Sequence, residues 1–132
     1  VALPNIQQAL GGGWRITDNT NLGELGIRAW FAQLGAPRAD LVAAGWGGDR
    51  FQFFQSGDLA ALVIATRWDS ENDATEFVAN VVDRLGGLPK EGELWRDGTR
   101  TYALARFKDR IAFIAANDVA AAQSVLQLLS SK

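Results

Sequence analysis

The side chains that could do chemistry gather in two stretches. One is GWGGDR, Gly45 to Arg50, and the other is WDSENDATE, Trp68 to Glu76. The second concentrates oxygen ligands at Asp69, Glu71, Asp73 and Glu76, which is the currency of calcium binding. An EF-hand loop needs glycine at its sixth position and a bidentate glutamate at its twelfth. Counting from Asp69, those places hold Ala74 and Asn80. The same acids are accounted for by a helix start: Asp69 or Ser70 caps, and Glu71 and Asp73 favour the positive end of the helix dipole.

The glycines of GWGGDR raise the question of a phosphate cradle. A P-loop places Gly-Lys-Ser/Thr at the opening of a helix. Here the glycines open a strand and no such lysine follows, so the stretch reads as a helix-ending turn that launches a strand. Trp46 is expected to plug the seam between helix and sheet, and Asp49 with Arg50 to pin the turn. A third arrangement is a small enzyme using Asp49, Asp69 or Asp73 with Arg50 or Arg67. The five serines stand in no G-x-S-x-G elbow, and the chain has no histidine to activate them.

The absences are informative. With no Cys there is no disulfide framework or thiol nucleophile, and with no His the commonest general base and metal ligand are gone. No catalytic residue, metal or cofactor is expected. Net charge is −2 and the basic residues are scattered singly, which argues against nucleic-acid binding because phosphate neutralisation needs clustered cations. No apolar run approaches the ~20 residues of a membrane span. Five Trp and seven Phe suggest the rim of a core, with an aromatic-lined pocket for a small apolar ligand as the alternative.

The elements that must position these residues follow from periodicity. A brief strand over residues 15–19 leads to a helix that Asn19, Thr20 or Asn21 can cap, with Leu22, Leu25, Ala29 and Ala32 at helical spacing and Trp30 on the flank. Gly35 and Pro37 end it, and a shorter helix covers about residues 38–44. From Arg50 the period becomes two. Residues 50–56 and 60–68 form a hairpin about Ser56–Asp58, and the second strand, apolar on both faces, belongs inside a sheet. Ala74, Phe77, Val78, Val81 and Leu85 then make an amphipathic helix, closed by Gly86-Gly87 and Pro89.

The grammar repeats. A possible strand at 93–96 precedes strands at 100–107 and 111–116, which turn at 108–110. Asn117 or Asp118 then caps a helix with Val119, Ala122, Leu126 and Leu129 inward. The expected fold is a single α+β domain over residues 1–132. It has an antiparallel sheet of four or five strands with helices packed on it, built as two hairpin-then-helix units after a helical N-terminal segment. That segment either joins the helix layer or covers the opposite face.

Three runs carry a family resemblance: Leu22-Gly23-Glu24, Ala43 to Arg50, and Trp68 to Phe77. They resemble the C-terminal region of a family of uncharacterised secreted or lipid-anchored proteins of bacteria and archaea, predicted to be zinc-metallopeptidase-like. The likeness extends over about residues 10–129. In that family the H-E-x-x-H helix lies upstream, so the resemblance implies a non-catalytic accessory or interaction domain of a larger extracytoplasmic protein. Its partner would be an upstream domain of the same chain or another protein. The resemblance transfers no catalytic residue. Trp46, Asp49, Arg50, Trp68 and Asp69 stand as the candidate structural or binding residues.

Overall fold

The computed structural model describes residues 3–33, 46–107 and 110–130. The elements in chain order are α1 (Ile6–Leu10), β1 (Arg15–Thr20), α2 (Gly23–Gln33), β2 (Trp46–Ser56), β3 (Leu59–Trp68), α3 (Glu71–Leu85), β4 (Lys90–Glu91), β5 (Leu94–Asp97), β6 (Arg100–Phe107), β7 (Arg110–Ala116) and α4 (Val119–Ser130). The expected short helix at 38–44 and the stops at Gly35 and Pro37 lie outside the described residues.

One sheet runs through the molecule in the order β1-β2-β3-β7-β6-β5-β4, all antiparallel. Among the described residues it has seven strands, where four or five were expected. The difference lies at the edges. β1 and β5 fill the brief strands expected at 15–19 and 93–96; the strand not foreseen is β4, whose two residues are too few to show a period and are held by pairing with β5. β7, the last of the described strands, occupies the middle of the sheet.

Alternation along the central strands makes two cores. On one face Ala61, Val63, Ala65, Ala112, Ile114 and Ala116 pack under α4 and α1, against Ala122, Val125 and Ile6. On the other, Ile64, Ile111 and Phe113 pack under α3 and α2, against Phe77, Val81 and Ile27. The α+β reading therefore stands as a three-layer arrangement, helices on both sides of the sheet. The two hairpins lie side by side, but their helices take opposite faces. A two-fold relating antiparallel β3 and β7 runs normal to the sheet and would keep both helices on one face. Simple internal symmetry is thus absent.

α2 departs from its expected inner face. Ile27 is fully buried, whereas Leu25 is 68% exposed and Ala29 is exposed. The helix is amphipathic only weakly, so its rotation is set by how its N-terminus is held rather than by its own pattern. α3 obeys its pattern, with Ala74, Phe77, Val81 and Leu85 buried. α4 turns slightly, burying Ala121, Ala122, Val125 and Leu126 and leaving Val119 and Leu129 half-buried.

Candidate functional site

The start of β2 and the end of β3 bring the candidate residues into one neighbourhood, where Trp46 pairs with Trp68 and Gly48 with Arg67. A bulge between Trp46 and Gly48 breaks the register. At its centre a Cβ on Gly47 would lie 3.0 Å from Asp69 Oδ1 and 3.2 Å from the Arg67 carbonyl oxygen. The strands approach too closely there for a side chain, which is the physical reason for glycine. Asp69 is exposed.

Asp49 is 2% exposed. Its Oδ2 accepts the Leu22 N–H at 2.6 Å and its Oδ1 accepts the Gly23 N–H at 2.8 Å. The carboxylate of β2 thus supplies the cap that the first turn of α2 needs, with the favourable dipole sign. Asn19 and Thr20, expected as caps, belong to β1 instead. Gly23 enters the helix at φ +77°, a conformation that costs glycine little. Successive strand residues face opposite ways, so Arg50 turns to the other side, where its Nη1 donates to Asn19 Oδ1 at 3.5 Å.

Trp68 is 1% exposed. Its Nε1 donates to Thr66 Oγ1 at 2.8 Å, and that hydroxyl donates to the Ile111 carbonyl at 2.9 Å. The indole packs on Phe77, with ring centroids 4.7 Å apart. Trp68 is therefore a core residue with its polar atom satisfied. Trp46 is placed by its backbone pairing alone, its indole lying outside the described residues. Among the acids of the second stretch, Ser70 is the cap of α3: its Oγ accepts the Asp73 N–H at 3.1 Å and donates to Asp73 Oδ2 at 3.0 Å. Asp118 caps α4 through the Ala121 N–H. Asn117 instead clasps the β2–β3 hairpin, donating to the Asp58 carbonyl and accepting from the Ala60 N–H, both at 2.8 Å.

An open cleft of about 530 Å³ lies elsewhere, between the β4–β5 turn and the second half of α4. Leu94 and Leu126 form its floor, with Glu91, Glu93, Gln123 and Gln127 around it. None of its lining residues is aromatic, so it is not the Trp- and Phe-lined pocket expected. Arg96 Nη1 stands 3.7 Å from Glu91 Oε2 beside it. Gln123 and Gln127, four apart on one helix face, were the available signal, but a polar helix face ordinarily means solvent.

The fold and this site define an α+β domain in which the candidate Asp49 is engaged in a helix cap and Trp68 in a core hydrogen bond. The chain belongs to the family described as Domain of unknown function (DUF8575), which matches residues 12–126. No curated protein matches it. Among solved structures, the crystal structure of the extracellular domain of PknH from Mycobacterium tuberculosis is similar, with a TM-score of 0.59 and 9% identity, covering 98% of this chain and 93% of that chain. At that identity the likeness concerns the fold. Neither match carries the metallopeptidase-like resemblance.

Proposed function

We propose that this chain is a non-catalytic, extracytoplasmic accessory or interaction domain that works beside an upstream domain of a larger protein. The observation that carries the reading is the end-to-end likeness to an extracellular domain, spanning 98% of the chain. Two further features agree. Asp49, the buried carboxylate among the candidates, is taken up by two backbone N–H groups. No helix among the described residues is long and apolar enough to cross a membrane.

These 132 residues contain no cysteine, so a cysteine introduced here is read above the labelling of the unsubstituted protein. Leu25→Cys, at a 68% exposed position, is introduced into the full-length product in its own cells. A membrane-impermeant maleimide should label it in intact cells, above the unsubstituted protein. Labelling only after lysis would overturn the extracytoplasmic reading.

A further inference from the structure

Asp97 is the only aspartate or asparagine in the sequence that precedes a glycine. The pair closes the β5–β6 hairpin. Asp97 faces Arg100 across the ladder, behind Arg96 opposite Thr101 and Trp95 opposite Tyr102. Gly98 and Thr99 are left as a two-residue loop. Gly98 takes φ +60°, the left-handed conformation that the tight hairpin turns require. Asp97 through Arg100 are all exposed, and a Cβ on Gly98 would meet nothing within 4 Å. In such a loop the flanking residues exchange the last ladder hydrogen bonds, so the Gly98 amide lies beyond the ladder and faces water.

The strand that carries Asp97 is held weakly on its outer side. β5 has four residues and its neighbour β4 has two. The Arg96 N–H donates to the Pro89 carbonyl at 2.8 Å. Proline has no N–H, so the bond that would return to the Arg96 carbonyl cannot form. The remaining ties are the Lys90 ammonium, 4.6 Å from the centre of the Trp95 ring, and the Arg96–Glu91 pair at 3.7 Å. Contacts of this surface kind hold an edge loosely. The end of β5 therefore belongs to the part of a sheet that opens locally at low cost. Such an opening frees the Asp97 backbone to rotate and brings its side-chain carbonyl carbon against the Gly98 nitrogen.

We propose that Asp97–Gly98 is a site of spontaneous backbone modification, at which aspartate becomes isoaspartate. The Gly98 nitrogen attacks Cγ of Asp97. A bond forms between them, the carboxyl C–OH bond breaks, and the amide proton leaves with that hydroxyl as water. The product is a cyclic imide. Water then adds to either imide carbonyl. Opening at Cγ restores aspartate. Opening at the former main-chain carbonyl breaks its bond to nitrogen, and the chain then runs through Cβ and Cγ. Water is released and taken up again, so the step needs no oxidant, enzyme or cofactor. Glycine permits the attack, since a side chain on residue 98 would crowd the nitrogen. The new backbone is longer by one methylene, which a two-residue loop cannot absorb in register. β5 then slips against β6, and Trp95, 7% exposed, loses its place in the core under α3.

The full-length product is aged for weeks in near-neutral buffer and digested with a protease that cuts after lysine. Asp97 falls in the peptide Glu91–Lys108, where it is the only aspartate. That peptide should split into two chromatographic peaks of equal mass, with a minor imide form lighter by one water. The new peak should accept a methyl group from S-adenosylmethionine in the presence of an isoaspartyl methyltransferase. It should be absent from Asp97→Glu, whose imide needs a larger ring. It should grow faster in Asp97→Asn, which expels ammonia in place of water. Asp97→Glu keeps the charge and the turn glycine, and the Asn variant gives a second comparison if the Glu variant fails to fold. A single peak from the aged folded protein would overturn the inference, the same chain aged in urea showing that the digest can see the split. A second peak that persists in Asp97→Glu would overturn the assignment to Asp97. The peptide reads the turn and the maleimide reads location, so either reading can fail alone.

Discussion

Asp49 and Gly23, 26 residues apart in sequence, are joined carboxylate to backbone at 2.8 Å, with the neighbouring Leu22 N–H held at 2.6 Å by the same side chain. A strand residue thereby fixes where a helix begins and which way it is turned. Asp49→Ala would leave two N–H groups unmet in a part-buried place. The expected loss is about 1–3 kcal/mol, with hydrogen exchange rising first in α2. An Asp49→Ala protein as stable as the original in urea would show that α2 is anchored by something else.

The rotation of α2 makes a paired prediction. Ile27→Ala should cost about 2–5 kcal/mol because Ile27 is fully buried. Leu25→Ser, at a 68% exposed site, should stay within about 0.5 kcal/mol. Periodicity alone ranks the two the other way, so thermal melts of both decide between the two helix orientations.

Trp68 and Thr66 should be energetically coupled. Thr66→Val removes the acceptor of the buried indole N–H and should cost about 1–3 kcal/mol. Trp68→Phe removes the donor and leaves a gap beside Phe77. A double-mutant cycle should return about 0.5–3 kcal/mol of coupling. Additive losses would mean that the hydrogen bond adds little to the packing.

Thr101 offers the opposite sign. Its hydroxyl is fully buried and has no hydrogen-bond partner among the described residues. Thr101→Val keeps the shape and removes an unmet polar group, so stability should hold or rise by up to about 1 kcal/mol. A clear fall in melting temperature would reveal a partner for that oxygen.

Gly47→Ala should destabilise by about 1–3 kcal/mol, since the new methyl meets the Arg67 carbonyl at 3.2 Å. The Asp69 carboxylate can swing aside, but the carbonyl cannot. Combining Gly47→Ala with Asp69→Ala should therefore recover only part of the loss, as read by urea titration.

The central elements were legible because each obeys one strong period: β3 is apolar on both faces, and α3 presents Phe77, Val81 and Leu85 on one side. The edge strand β4 was not, since two residues cannot show a period and gain their form from β5. The twist of α2 was hidden because its cap lies on another element. The job of Asp49 was hidden for the same reason: adjacent Arg50 was the obvious partner in one dimension, and strand alternation separates the two.

β7, the last of this domain's described strands, sits between β3 and β6. Until Arg110 to Ala116 have left the ribosome, both of those strands present raw apolar edges with no hydrogen-bonding neighbour. Folding of this domain must therefore wait for nearly its whole length, and its decisive pairings join segments tens of residues apart, a topology that folds slowly. A nascent or truncated chain lacking β7 would be a sticky, half-made sheet. The Asn117 clasp on the first hairpin, arriving just after β7, would then fasten a sheet that had only just closed.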